Sequence, residues 1–188
     1  MSKPKFLLHA CCANCAVYPL LLLSKDYEVS MYYYNPNIYP EIEYRKRLKF
    51  IKKISLIYKI PLITGKYEIK EWLTLTKLFT NELEGGKRCT ECFKIRLSET
   101  ASKAKKLKFD LFGTTLTISP HKNQEVINNI GQDIAKRLNI DFYMADFKKN
   151  DGFKNTILMS KKLDIYRQNY CGCIYSMKKD ILNKDIKL

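Results

Sequence analysis

Short apolar runs alternate along this chain with longer stretches whose apolar residues recur every three or four positions. Phe6–His9, Glu28–Tyr34, Pro61–Thr64, Phe109–Gly113 and Asp141–Met144 read as strands. Between them the helical period appears first at Tyr18–Ser24, where Pro19 is tolerable only in the first turn. It returns at Glu41–Tyr58, striped by Tyr44, Leu48, Ile51, Ser55 and Tyr58, and at Ile69–Phe79, which carries the only tryptophan, Trp72. A further helix runs from about Cys89 with Phe93, Leu97, Ala101, Ala104 and Leu107 on one stripe. Val126, Ile130, Ile134 and Leu138 mark the next, and Phe153–Leu163 the last. Strand and helix in alternation predict an α/β fold, a three-layer sandwich with a mainly parallel sheet covered on both faces. In such sheets ligands bind beyond the carboxyl ends of the strands, where Cys11, His121 and Asp146 fall on this reading. The 188 residues suit one domain, and no run approaches the roughly 20 apolar residues that span a bilayer.

The seven cysteines change the picture from fold to chemistry. They occur in three clusters: Cys11, Cys12 and Cys15 after the first strand, Cys89 and Cys92 behind a polar Gly85-Gly86 loop, and Cys171-Gly172-Cys173 near the end. In the reducing cytoplasm, where this chain is expected, such groupings favour metal or redox chemistry over a disulfide framework. Spacing leaves an iron-sulfur cluster, a zinc site built from Cys12, Cys15, Cys89 and Cys92, and unrelated buried cysteines all open. Cys89 and Cys92 share one face of a helical first turn, whose dipole favours thiolate. A Cys171–Cys173 disulfide would be strained and easily reduced, which suits a redox relay; the same thiols could instead hold a metal ion. Of the two histidines, His9 reads as a hydrogen-bonded core residue and His121 as an active-site candidate in a strand-end loop. Asp146 is a candidate acid or metal ligand, with a solvated loop aspartate as the alternative.

Lysine and arginine outnumber aspartate and glutamate by 34 to 19, for a net charge of +15. That excess suits a polyanionic partner, RNA before others, and equally suits a lysine-rich organism. Tyr32, Tyr33, Tyr34 and Tyr39 offer stacking surfaces for an unpaired base, with ordinary strand packing as the equal alternative, and Arg45, Lys46, Lys87 and Arg88 are candidate phosphate contacts.

Six motifs follow one another in order. They are His9-Ala-Cys11-Cys12-Ala-Asn-Cys15; Asn35-Pro-Asn-Ile-Tyr-Pro40 with Glu43-Tyr44; Gly86-Lys-Arg-Cys89-x-x-Cys92-Phe93-x-x-Arg96-Leu97; Ser119-Pro-His121-Lys122-Asn123; Asp146-Phe147-Lys148; and Tyr166-Arg167-Gln168-x-Tyr170-Cys171-Gly172-Cys173-x-x-Ser176. The series resembles the cobalamin-independent epoxyqueuosine reductases, the QueH family, over essentially the whole chain. The resemblance implies a fold like that of the PP-loop nucleotide-binding proteins and reduction of epoxyqueuosine to queuosine in the tRNA anticodon. It further implies a [4Fe-4S] cluster on Cys11, Cys12, Cys89 and Cys92, with Cys15 in reserve, and Cys171 and Cys173 as a redox pair or second metal site. An additional iron and an electron donor that the sequence does not identify belong to the same expectation; cobalamin, ATP and a membrane do not. Asn14 stands where the commoner family sequence has proline. Adjacent cysteines such as Cys11 and Cys12 diverge on a helix or a strand, so one shared metal requires a tight turn there. Asp146, His121 or a second iron would assist departure of the epoxide oxygen. A PP-loop-like tRNA thiolation enzyme and a zinc-stabilised RNA-binding module are the competing readings.

Overall fold

The computed structural model describes residues 2–177. Five parallel strands form one sheet in the order β3-β2-β1-β4-β5: β1 is Lys5–His9, β2 Glu28–Tyr33, β3 Leu62–Thr64, β4 Leu111–Thr114 and β5 Asp141–Phe142. The helices are α1 (Ala13–Leu23), α2 (Glu41–Tyr58), α3 (Ile69–Thr76), α4 (Lys87–Lys106), α5 (Gln124–Leu138) and α6 (Gly152–Lys162).

β1 is buried on both faces because successive side chains alternate between them. Phe6 and Leu8 join Val29, Met31 and Tyr33 of β2 in a core that includes Val17 and Leu20 of α1 and Ile51 and Ile54 of α2. Leu7 points the other way, with Tyr32, Phe112, Leu97 of α4 and Ile130 and Ile134 of α5. These two cores are the helical layers the alternation predicts.

Of the places where pattern-based and observed boundaries differ, three bear on the rim of the sheet. The first helix begins at Ala13, not Tyr18, because Cys12 is an extended N-cap whose Sγ accepts from the Cys15 N–H at 3.4 Å. Pro19 therefore lies inside α1 rather than in its first turn, and the helix forgoes the hydrogen bond to the Cys15 carbonyl. β5 stops at Phe142, two residues short of the expected strand, and Thr115–Ile118 of the expected loop form a 3-10 turn capped by Thr114 Oγ1. No helix among the described residues is long and apolar enough to cross a membrane.

Candidate metal and redox site

β1 and β4 are neighbours in the sheet but are reached by connections on opposite sides, so their carboxyl ends open the crevice in which open α/β sheets bind ligands. His9 pairs in register with Thr114 at that point. Its Nδ1 lies 2.9 Å from Thr114 Oγ1 and its Nε2 3.1 Å from the Tyr34 carbonyl. The carbonyl can only accept, which puts the imidazole proton on Nε2 and leaves Nδ1 to accept from the Thr114 hydroxyl. Burial, aided by the Arg96 charge, lowers the His9 pKa to about 3, so it is a neutral strut. The core role expected for it is the role it has.

One residue beyond, the chain turns from strand into α1 and brings the three thiols of the first cluster together. The sulfurs of Cys11, Cys12 and Cys15 all lie within 4.8 Å of one another, with Cys11 and Cys12 at 3.9 Å. The divergence of neighbouring side chains is overcome because Cys11 leaves the strand while Cys12 already caps the helix. Thr115 fixes Cys11, accepting from its backbone N–H at 3.1 Å and donating to its sulfur at 3.3 Å. Hydrogen bonds with Cys12 and Cys15 hold the Cys11 thiol well below its usual range, and Arg96 and Lys122 act in the same direction against burial. The Cys11 contact and burial push Cys12 up to about 12, and the hydrogen bonds with Cys11 and Cys12 raise Cys15 well above the usual thiol value.

The other four cysteines line one cavity of about 180 Å³. Cys89 and Cys92 come from the start of α4 and Cys171 and Cys173 from the last segment, while Trp72, Phe93 and Val126 supply apolar walls and Asn37, Arg88, His121 and Lys122 polar ones. Burial raises the thiol pKa of Cys89, of Cys173 and of Cys92, the last to about 11. Trp72 packs directly with Cys92 and Cys173, and its indole nitrogen is buried without a hydrogen-bond partner.

Two cations, Arg96 buried and Lys122 half-buried, stand near both sets. Arg96 is 2% exposed and donates to Asn35 Oδ1 at 2.6 Å. Lys122 would be pushed down by burial, yet the charges of Cys171, Cys11 and Cys15 outweigh that and raise its pKa. Neither forms an ion pair with a carboxylate among the described residues. Buried charge is costly without a counter-charge, so these cations suit a site whose thiols are thiolates. Thiolates on one tetrahedral ion stand about 3.8 Å apart for bonds of about 2.3 Å, which the Cys11–Cys12 separation matches. Among the described residues, the cavity cysteines form no three-ligand group as tight as the triad.

Two contacts of the first cluster carry no chemical signal in the sequence. Thr115 lies in no motif, and Gln168, which donates to Cys12 Sγ at 2.9 Å, belongs to the last motif but has no role assigned there. Other nominations land elsewhere. Asp146 does not line the cavity: its carboxylate accepts from the Lys148 N–H at 3.2 Å and lies 3.7 Å from Lys148 Nζ, which in turn donates to the Lys122 carbonyl. Tyr32, Tyr33 and Tyr34 are core residues, leaving Tyr39 exposed. Arg88 is buried too, its guanidinium donating to the carbonyls of Phe79, Thr80 and Glu82, so it organises the loop before α4 instead of meeting phosphate.

A family described as "Epoxyqueuosine reductase QueH" matches residues 6–179. The chain is 38% identical over 182 residues to an epoxyqueuosine reductase QueH of Streptococcus pyogenes serotype M1, covering 94% of this chain and 71% of that protein. It is also 38% identical over 176 residues to the protein of that name from Thermotoga maritima, covering 91% and 89%. Among solved structures, a predicted tRNA methyltransferase subunit from Methanocaldococcus jannaschii superposes with a TM-score of 0.57 at 11% identity, over 85% of this chain and 74% of that one, a likeness of fold alone. With a five-stranded parallel sheet and thiols gathered at its switch point, this chain belongs to the epoxyqueuosine reductase QueH family.

Proposed function

We propose that this protein reduces the epoxide of epoxyqueuosine to an alkene at the wobble position of tRNA, giving queuosine. The observation that carries the reading is the arrangement of seven thiols from three distant segments at the carboxyl edge of one sheet, three in a triad and four around an adjoining cavity. Breaking two C–O bonds and forming the alkene takes two electrons and two protons, and the oxygen leaves as water. Iron-sulfur chemistry, when the centre is bound, supplies electrons one at a time.

On this reading the ligands divide differently from the set that the motif resemblance implies, which groups Cys11 and Cys12 with Cys89 and Cys92. Cys11, Cys12 and Cys15, whose sulfurs lie within 4.8 Å of one another, would hold a single additional iron. Cys89, Cys92, Cys171 and Cys173, which line one cavity, would hold a [4Fe-4S] cluster beside it. Arg96 and Lys122 offset the thiolate charge from between the two sets. Trp72, Phe93 and Val126 would pack against an unpaired base turned out of the anticodon loop, since folded RNA is read where it is unpaired. His121, which lines the cavity, is the acid assigned on this reading to protonate the departing oxygen. Asp146 braces that loop through Lys148 rather than acting on substrate.

A second reading treats Cys171 and Cys173 as the two-electron relay, since both are free thiols. As a dithiol they would release two electrons and two protons on forming a disulfide, which a one-electron reductant would then reopen in two steps. Cys171→Ser/Cys173→Ser separates the two: loss of cluster iron supports ligation, and retained iron with lost turnover supports the relay. The decisive experiment is anaerobic purification with metal and sulfide analysis. Iron with acid-labile sulfide and reduction of epoxyqueuosine-containing tRNA is expected; a colourless zinc protein that only binds RNA would replace this reading with the zinc module.

A further inference from the structure

The last cysteine segment is moulded around one buried side chain on α2. Arg47 is 3% exposed, and each of its three guanidinium nitrogens has a partner. Nε donates to Glu43 Oε1 at 2.7 Å, Nη1 to the Cys171 carbonyl at 2.9 Å and Nη2 to the Tyr170 carbonyl at 3.2 Å. Glu43 is nearly buried as well, and the Tyr166 hydroxyl lies 3.2 and 3.1 Å from its two oxygens. The acid and the base of one helical turn thus grip both the start and the end of the segment Tyr166–Cys171. Gly172 closes the grip: it has φ +128°, and a Cβ there would stand 2.9 Å from Arg47 Nη1. Its carbonyl then accepts from the Tyr39 N–H at 2.8 Å.

A carboxylate partner alone would have settled the charge of Arg47. The fork is instead aimed at two consecutive carbonyls more than a hundred residues away, one of them on a cysteine of the cavity. Such a planar, rigid fork fixes a backbone in a way that a lysine ammonium does not. We infer that Arg47 is a positioning residue of the reductase, held by Glu43 and setting where Cys171 and Cys173 face the cavity. The inference rests on the reading that these two cysteines are working residues of the centre.

The test is iodoacetamide labelling of the full-length, anaerobically purified protein, with each cysteine quantified by mass spectrometry. In Arg47→Gln and in Arg47→Lys, labelling of Cys171 and Cys173 rises about tenfold, as expected for losing one charge-assisted hydrogen bond, while Cys15 and Cys89 label as in the parent. kcat falls in both variants with KM for tRNA unchanged, and lysine does not rescue. Gly172→Ala leaves α2 intact and must give the same selective rise; if it does not, or if Cys171 and Cys173 stay protected in the Arg47 variants, the inference is overturned. Rapid labelling of Cys171 and Cys173 in the unmodified protein would instead remove the reading of those cysteines as ligands, whatever Arg47 does.

Discussion

The side-chain amide of Gln168 donates to the sulfur of Cys12 at 2.9 Å, across 156 residues of chain. It joins the last cysteine segment to the first, at the point where α1 begins. A donor to a metal-bound thiolate withdraws charge from the sulfur and stabilises the reduced state. Gln168→Met, close in volume and without a donor, should therefore shift the midpoint potential of the bound centre to a more negative value with iron content unchanged. An anaerobic redox titration measures this, and an unmoved potential would mean the contact does not tune the centre.

The division of the cysteines makes a prediction about stoichiometry. Cys15→Ser removes one corner of the triad and should lower bound iron by about one per chain with acid-labile sulfide retained, because a single ion carries no sulfide. Cys92→Ser should lower iron and sulfide together. Iron and sulfide both unchanged in Cys15→Ser, with both lost in Cys92→Ser, would instead support a cluster on Cys11, Cys12, Cys89 and Cys92.

His9 should act on stability and not on chemistry. His9→Ala leaves the Thr114 hydroxyl and the Tyr34 carbonyl short of a buried partner and opens a cavity between β1 and β4. A loss of about 2–4 kcal/mol in unfolding free energy is expected by urea denaturation. A loss below about 0.5 kcal/mol, the range of a neutral surface change, would show that the strut is dispensable.

RNA binding offers a contrast between two adjacent basic residues. Lys87 is exposed and Arg88 buried. If Lys87 meets a phosphate of the unpaired loop, Lys87→Gln should reduce the slope of log affinity against log salt by about 0.7. Arg88→Gln should leave that slope alone and loosen the loop before α4, read as faster amide exchange from Thr80 to Gly86.

The periodicity of apolar residues determined the layered α/β fold, because burial on both sheet faces leaves a direct imprint on strands such as Phe6–His9 and on the stripe of α5. The clustering of thiols likewise nominated every cysteine of the site, since a metal centre needs that residue type and little else supplies it. Local pattern could not place α1, whose start depends on a cysteine acting as a cap, and it left Tyr32–Tyr34 open between base stacking and ordinary packing because aromatic strands look alike whether or not they are covered. Nor could it see that Arg47 and Arg88, neighbours in kind to the solvated lysines around them, are buried. Apart from Glu43, one turn before Arg47, their partners are backbone carbonyls, which every residue possesses and which leave no mark on the order of side chains. Which thiols come within reach of one another is a question of distances between segments more than seventy residues apart, and only the packing of α2, α4 and the last segment against the rim of the sheet decides it.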